Sequence, residues 1–173
     1  MAISGASGIG LGVKFVRYLP DYVERYIVST ENSRVVDAME GGEYGDFFGD
    51  DEIGASIASG SYPVDAVAVV PCSMNTLAKI SHGIADNLTT RVASVAIKER
   101  RRLLLAPREM PLSPIALENM HRLSMMGVVI SPPIMAYYSS CETMEDMEKF
   151  IIGRWYDSLG IEHDLYDRWS GER

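Results

Sequence analysis

The chain has few cysteines, no long apolar run and no excess of positive charge, and each shortage closes off a class of function. Cys72 and Cys141 lie far apart, no Cys-x-x-Cys occurs, and His82, His121 and His163 stand at no metal-ligand spacing, so a structural zinc is not expected. Apolar segments such as 66–70 are far too short to span a bilayer, and no charged n-region followed by an apolar h-region opens the sequence. The expectation is a soluble, cytoplasmic protein. With 16 Lys and Arg against 24 Asp and Glu, a formal net charge of −8, there is no basic face for nucleic acid or an anionic membrane. Any anion site must therefore be local. Also missing are the GxGxxG and Walker spacings, because no Gly-Lys-Ser/Thr follows the first glycines, and a Tyr-x-x-x-Lys pair. A dehydrogenase reading falls with them. There is no internal repeat and no low-complexity linker.

What is present suits one domain spanning residues 1–173: 47% hydrophobic residues are enough to bury a substantial core. Ten methionines, among them Met125-Met126 and the Met144/Met147 pair, read as pliable core or interface filler. Periodicity predicts strands at 1–3, 26–29, 66–70, 103–106 and 128–130. Helices are expected at about 11–19, 31–40, 76–82, 85–98, 114–126 and 144–159. Ser113-Pro114 and Thr143-Met144-Glu145-Asp146 supply helix starts, while Gly127 and Gly160 supply stops. The glycine-rich, acidic stretch 45–61 is expected to be a surface loop. Strands alternating with helices of this length give an α/β fold, a doubly wound parallel sheet in three α/β/α layers. The first strand looks clipped, so weak edge pairing is expected of it.

The most informative run is Val69-Val70-Pro71-Cys72-Ser73-Met74-Asn75-Thr76-Leu77-Ala78-Lys79, where a buried strand breaks at a proline and opens into small polar residues as a helix begins. In an open parallel sheet, ligands bind beyond the carboxyl ends of the strands, where helix N-termini present N–H groups. Ser73, Asn75 and Thr76 sit at that edge, although on spacing alone an ordinary N-cap is the simpler reading. The turn Gly5-Ala6-Ser7-Gly8-Ile9-Gly10 lets backbone approach a phosphate, with Ser7 as an added hydroxyl. Arg91 and Lys98, seven apart on one helix, can share a side, whereas Arg100 and Arg101 read as a solvated turn. Arg108-Glu109 follows the 103–106 strand at the cradle's edge, where a buried Arg beside a Glu can bind an anion and hold a proton donor, or form a plain ion pair. Tyr137-Tyr138 and Arg154 are explained as well by packing as by function.

Taken together these segments, with Ser29, Ala58-Ser59-Gly60-Ser61, the stretch 83–88, Lys98-Glu99-Arg100-Arg101, Arg108-Glu109-Met110-Pro111-Leu112, Asn119-Met120, Pro132-Pro133 and Gly153-Arg154, resemble the flavin prenyltransferase family of UbiX type. The resemblance covers nearly the whole chain and implies a Rossmann-like (flavodoxin-like) fold. It implies FMN held by Gly5, Ala6, Ser7, Ser29, Ser73, Met74, Asn75, Thr76 and Arg108, and dimethylallyl monophosphate held by Arg91, Lys98, Tyr138 and Arg154. Glu109 would be the acid/base, with Ser7 as the second catalytic residue. The implied reaction places a dimethylallyl group on N5 and C6 of reduced FMN, without metal, and yields prenylated FMN for a UbiD-type decarboxylase. The absence of a DDxxD motif, since Ile53-Gly54 follows Asp50-Asp51-Glu52, fits a monophosphate bound by Arg and Lys better than a metal-bound diphosphate. Trimers building up to dodecamers are expected from the same resemblance. Where the family has Pro-Ala-Phe-Tyr, this chain has Met135-Ala136-Tyr137-Tyr138, which keeps the tyrosine. The alternatives are an FMN-dependent cysteine decarboxylase of the phosphopantothenoylcysteine type and a non-catalytic FMN carrier. The first calls for a catalytic His in the first half and a Pro-x-Met-Asn segment, yet His82 is the only histidine before His121 and no such segment occurs.

Overall fold

The computed structural model describes residues 1–4, 9–29, 46–137, 141–169 and 171 of the 173. Six strands form one parallel sheet: β1 (Ala2–Ile3), β2 (Tyr26–Ser29), β3 (Asp46–Gly49), β4 (Ala66–Cys72), β5 (Arg102–Pro107) and β6 (Val129–Ile130). Their order is β3-β2-β1-β4-β5-β6, the Rossmann arrangement in which the winding reverses between β1 and β4. Among the described residues there are five α-helices in chain order, α1 (Ile9–Arg17), α2 (Met74–Ser81), α3 (Leu88–Lys98), α4 (Pro114–Met125) and α5 (Met144–Leu159).

Strand side chains alternate between the two faces of a sheet, and the two largest buried clusters divide accordingly. Ala2, Val28, Val67, Val69, Leu103 and Leu105 meet α2, α3 and α4 on one face. Ala68, Val70, Leu104 and Ala106 meet Phe15 of α1, Leu19 just beyond it, and Ile152, Trp155 and Tyr156 of α5 on the other. Gly12 is the contact that lets α1 lie close: a Cβ there would stand 2.5 Å from the Val70 carbonyl oxygen, which belongs to rigid strand backbone.

Three expectations are corrected. The stretch read as a loop at 45–61 contains β3, paired with β2 from Tyr26↔Asp46 to Ser29↔Gly49, and a 3-10 turn at Ser56–Ala58. Phe47 and Phe48 pack inward there, so two aromatic residues decide the conformation against glycine and acidic neighbours. Strand β4 does not stop at Pro71: it runs on to Cys72 through a cis Val70–Pro71 bond, with the register shifted between Val69 and Cys72. The short β1 is no edge strand, because it lies between β2 and β4. The helix expected at 31–40 lies outside the described residues, and the 85–98 helix begins at Leu88 behind an Asn87 cap.

Asp50, just past β3, fastens α3 to the sheet. Its carboxylate accepts from the Thr89 backbone N–H (2.9 Å) and from Asn87 Nδ2 (2.6 Å), and its carbonyl accepts from the Leu88 N–H (2.8 Å). A negative group at a helix N-terminus also opposes the helix dipole. Asp50→Ala is expected to lower the unfolding free energy by about 2 kcal/mol, since it orphans two donors at a partly buried helix start. Urea titration will show this as a lower midpoint at unchanged slope.

Candidate active site

The carboxyl ends of β1, β4 and β5 meet at the reversal of winding, and hydrogen bonds hold them in a fixed relation. Buried Ser4, the residue after β1, donates its backbone N–H to the Pro71 carbonyl (3.1 Å), and its hydroxyl accepts from the Ser73 N–H (3.1 Å). Ser73 then caps α2: its Oγ accepts from the Thr76 N–H at 3.1 Å and donates to Thr76 Oγ1 at 2.9 Å. The cap expected at Ser73 is therefore real, and it leaves the N–H groups of Met74 and Asn75 in the first turn without intrahelical partners. Ser4 is the residue that sequence reasoning missed; a serine beside a glycine turn carries no periodic signal.

Parallel pairing sets Cys72 opposite Pro107, so Ser73 and Arg108 leave adjacent strands side by side. Arg108 was expected to be buried beside Glu109, or to form a plain ion pair with it. Both are exposed in the single chain, and Glu109 Oε1 accepts from the Met110 N–H at 3.2 Å. Chain direction is the cause: beyond Pro107 the backbone has left the sheet. Ser29, buried at the end of β2, opens onto a cleft of about 520 Å³ shared with Asp50, Asp51, Asp86 and Asn87. Three carboxylates make this cleft suited to hydroxyl-bearing groups and poorly suited to an anion. Burial pushes the Cys72 thiol up to about 12, so it stays protonated and packs as a small apolar group under the cradle.

Of the four expected phosphate ligands, the three among the described residues do not gather within one chain. Arg91 and Lys98 are exposed on α3, and α3 packs against the face that carries Val67 and Leu105. Arg154 is on α5, against the opposite face. Lys98 ends α3 beside Gly60, paired with Glu99 at 2.8 Å, about 15 Å of helix away from the Asn87 cap. Tyr138, together with Gly5, Ala6, Ser7 and Gly8, lies outside the described residues. His82 closes α2 at the end away from the cradle, with Nδ1 at 2.9 Å from the Ala78 carbonyl, which places no histidine at the carboxyl edge among the described residues. That arrangement disfavours the cysteine decarboxylase alternative. No group of metal-ligating side chains occurs among the described residues, and none of the described helices is long and apolar enough to cross a membrane.

Comparison with known proteins agrees with this geometry. The Flavoprotein family model matches residues 1–155. The flavin prenyltransferase UbiX of Helicobacter pylori (strain ATCC 700392 / 26695) is 47% identical over 181 aligned positions, which cover 98% of this chain and 97% of that protein. Among solved structures, AnUbiX in complex with FMN and dimethylallyl pyrophosphate superposes with a TM-score of 0.89 at 35% identity, over 99% of this chain and 96% of its own. A dodecameric FMN-dependent UbiX-like decarboxylase from Escherichia coli O157:H7 does so with a TM-score of 0.89 at 38% identity, over 98% and 97%. A phosphopantothenoylcysteine-type (PPC) decarboxylase, at 23% identity and a TM-score of 0.63, shares the fold alone.

Proposed function

Because the chain belongs to the flavin prenyltransferase family of UbiX type, we propose that it transfers a dimethylallyl group from dimethylallyl monophosphate to N5 and C6 of reduced FMN. The observation that carries this reading is the Cys72↔Pro107 register, which sets the Ser73 cradle beside Arg108-Glu109 at the reversal of winding. The donor set fits a flavin: N–H groups of the first α2 turn, hydroxyls of Ser29, Ser73 and Thr76, and the guanidinium of Arg108, with Gly5, Ala6 and Ser7 completing it. When bound, reduced FMN supplies a nucleophilic N5 and the ring carbon C6. Arg91, Lys98, Tyr138 and Arg154 bind the donor's phosphate and oppose the charge it carries away as its C–O bond breaks. Glu109 takes the proton that C6 gives up when the new ring closes.

Since α3 and α5 lie on opposite faces, these phosphate ligands come from different copies of the chain, and the site forms between subunits. Exposed apolar side chains support such an assembly: Met110 is 91% exposed, and Ile115, Met125, Ile134 and Tyr137 are more than half exposed. The dodecameric E. coli relative makes twelve copies the natural count. The product is prenylated FMN for a UbiD-type decarboxylase, made in the cytoplasm. The test is direct: incubation of the protein with reduced FMN and dimethylallyl monophosphate is expected to release a flavin heavier by one five-carbon unit. Unmodified FMN as the sole flavin would refute the assignment. Gel filtration is expected to show FMN retained before and after EDTA, as a site built of Ser, Arg and backbone N–H groups requires.

A further inference from the structure

Helix α5 ends in a network that the reaction as described does not use. Asp157, one turn after Arg154, accepts hydrogen bonds from Arg154 Nη1 (3.3 Å), Arg168 Nη2 (2.7 Å) and the Tyr166 hydroxyl. Its Oδ1 also lies 3.3 Å from Nε2 of His163, whose side chain is only 2% exposed. Burial alone would raise the Asp157 carboxyl. Hydrogen bonds from Arg168 and Tyr166, with the charges of Arg168 and His163, outweigh burial and hold it below the usual carboxylate range. The segment 161–169 reaches α5 only because residue 153 is glycine: a Cβ there would stand 2.6 Å from the Tyr166 ring and 2.7 Å from His163. Gly153 and Arg154, neighbours in sequence, thus have linked tasks, one admitting the segment and the other being held by what it brings.

We propose that Asp157 is a positioning residue for Arg154, fixing the guanidinium in the orientation that meets the donor's phosphate, and that the C-terminal segment acts on the site through it. The inference rests on the reading of Arg154 as a phosphate ligand. An arginine that is 58% exposed has wide rotamer freedom. Its donors sit in a rigid planar fork, so anchoring one arm orients the others toward an anion. Electrostatics and positioning predict opposite signs here. A carboxylate beside Arg154 repels phosphate, and its removal would tighten binding if charge alone mattered; if orientation matters more, its removal weakens binding.

The experiment is steady-state kinetics on Asp157→Asn, Asp157→Glu, Arg154→Ala and the Asp157→Asn/Arg154→Ala double variant, with inorganic phosphate titrated by calorimetry alongside. Asp157→Asn is expected to raise the KM for dimethylallyl monophosphate roughly tenfold, a coupling typical of groups in direct contact. Its kcat is expected to fall in the same direction as in Arg154→Ala but by less, because the displaced guanidinium also serves the departing phosphate, while FMN affinity stays within about twofold of wild type. Asp157→Glu restores part of the KM, and in the Arg154→Ala background Asp157→Asn adds nothing. A KM that falls or stays unchanged overturns the proposal, as does the same increment in both backgrounds, which would mark a merely structural carboxylate. Should Asp157→Asn not fold, Arg168→Met removes an outer anchor of Asp157 without altering α5, and is expected to move KM in the same direction by less. If the wild type forms no prenylated FMN, the functional assignment fails separately, and the phosphate dissociation constants then decide, Asp157→Asn weakening phosphate only where Arg154 is present.

Discussion

Glu109→Gln is expected to retain FMN and to lose on the order of a hundredfold to ten-thousandfold in formation of the ring-closed flavin, the range in which general bases contribute. The substitution keeps size and hydrogen-bonding reach and removes only the basic carboxylate. Closure at C6 cannot finish until that carbon gives up its proton, so the deficit belongs to that step. In the proposed mechanism release of phosphate from the donor falls to Arg91, Lys98, Tyr138 and Arg154, and it is expected to drop much less. Comparing phosphate release with cyclised product by mass therefore separates the two functions. A wild-type rate of cyclised product from Glu109→Gln would reduce Glu109 to a partner of Arg108.

The second large effect concerns two variants that are each nearly inactive and become active together. On their proposed roles, Lys98→Ala and Arg154→Ala each remove one charged donor from a departing phosphate and are each expected to cost on the order of a hundredfold in kcat. Lys98 lies at the end of α3 and Arg154 on α5, on opposite faces of the sheet. If a site takes Lys98 from one copy and Arg154 from another, then in an assembly of randomly mixed variants about one site in four has both intact. Co-expressed, differently tagged chains purified through both tags are expected to recover a corresponding share of wild-type activity. No recovery would mean that a single chain supplies both groups, against the separation seen here.

Much of this was legible in the residues themselves. Helix starts are local chemistry, and Ser73, Ser113 and Thr143 cap the helices they were expected to begin. Buried strands such as 66–70 and 103–106 stand out because burial on both faces demands a continuous apolar run. The failures share a cause, dependence on partners distant in the chain. Phe47-Phe48 becomes a strand only because β2 offers a ladder, and Pro71 is tolerated within β4 where the register shifts. Ser4 gains its role from Pro71 and Ser73, and Asp50 from the start of α3, contacts that no local window contains. In the same way, side-sharing on one helix linked Arg91 with Lys98, but no such rule links either with Arg154; only the layering of the sheet reveals that a single copy keeps them apart.

The strand order also governs how copies of this chain can meet. The outermost strands are β3, with four residues, and β6, with two. Stubs of this length offer too few ladder hydrogen bonds to recruit another strand, so the sheet resists growth by edge addition. Association then falls to side chains on the helical layers and loops, where each contact depends on shape and not on a generic backbone ladder. Growth by strand addition is thus closed off, and concentrated solutions of the folded protein are expected to remain free of cross-β fibres.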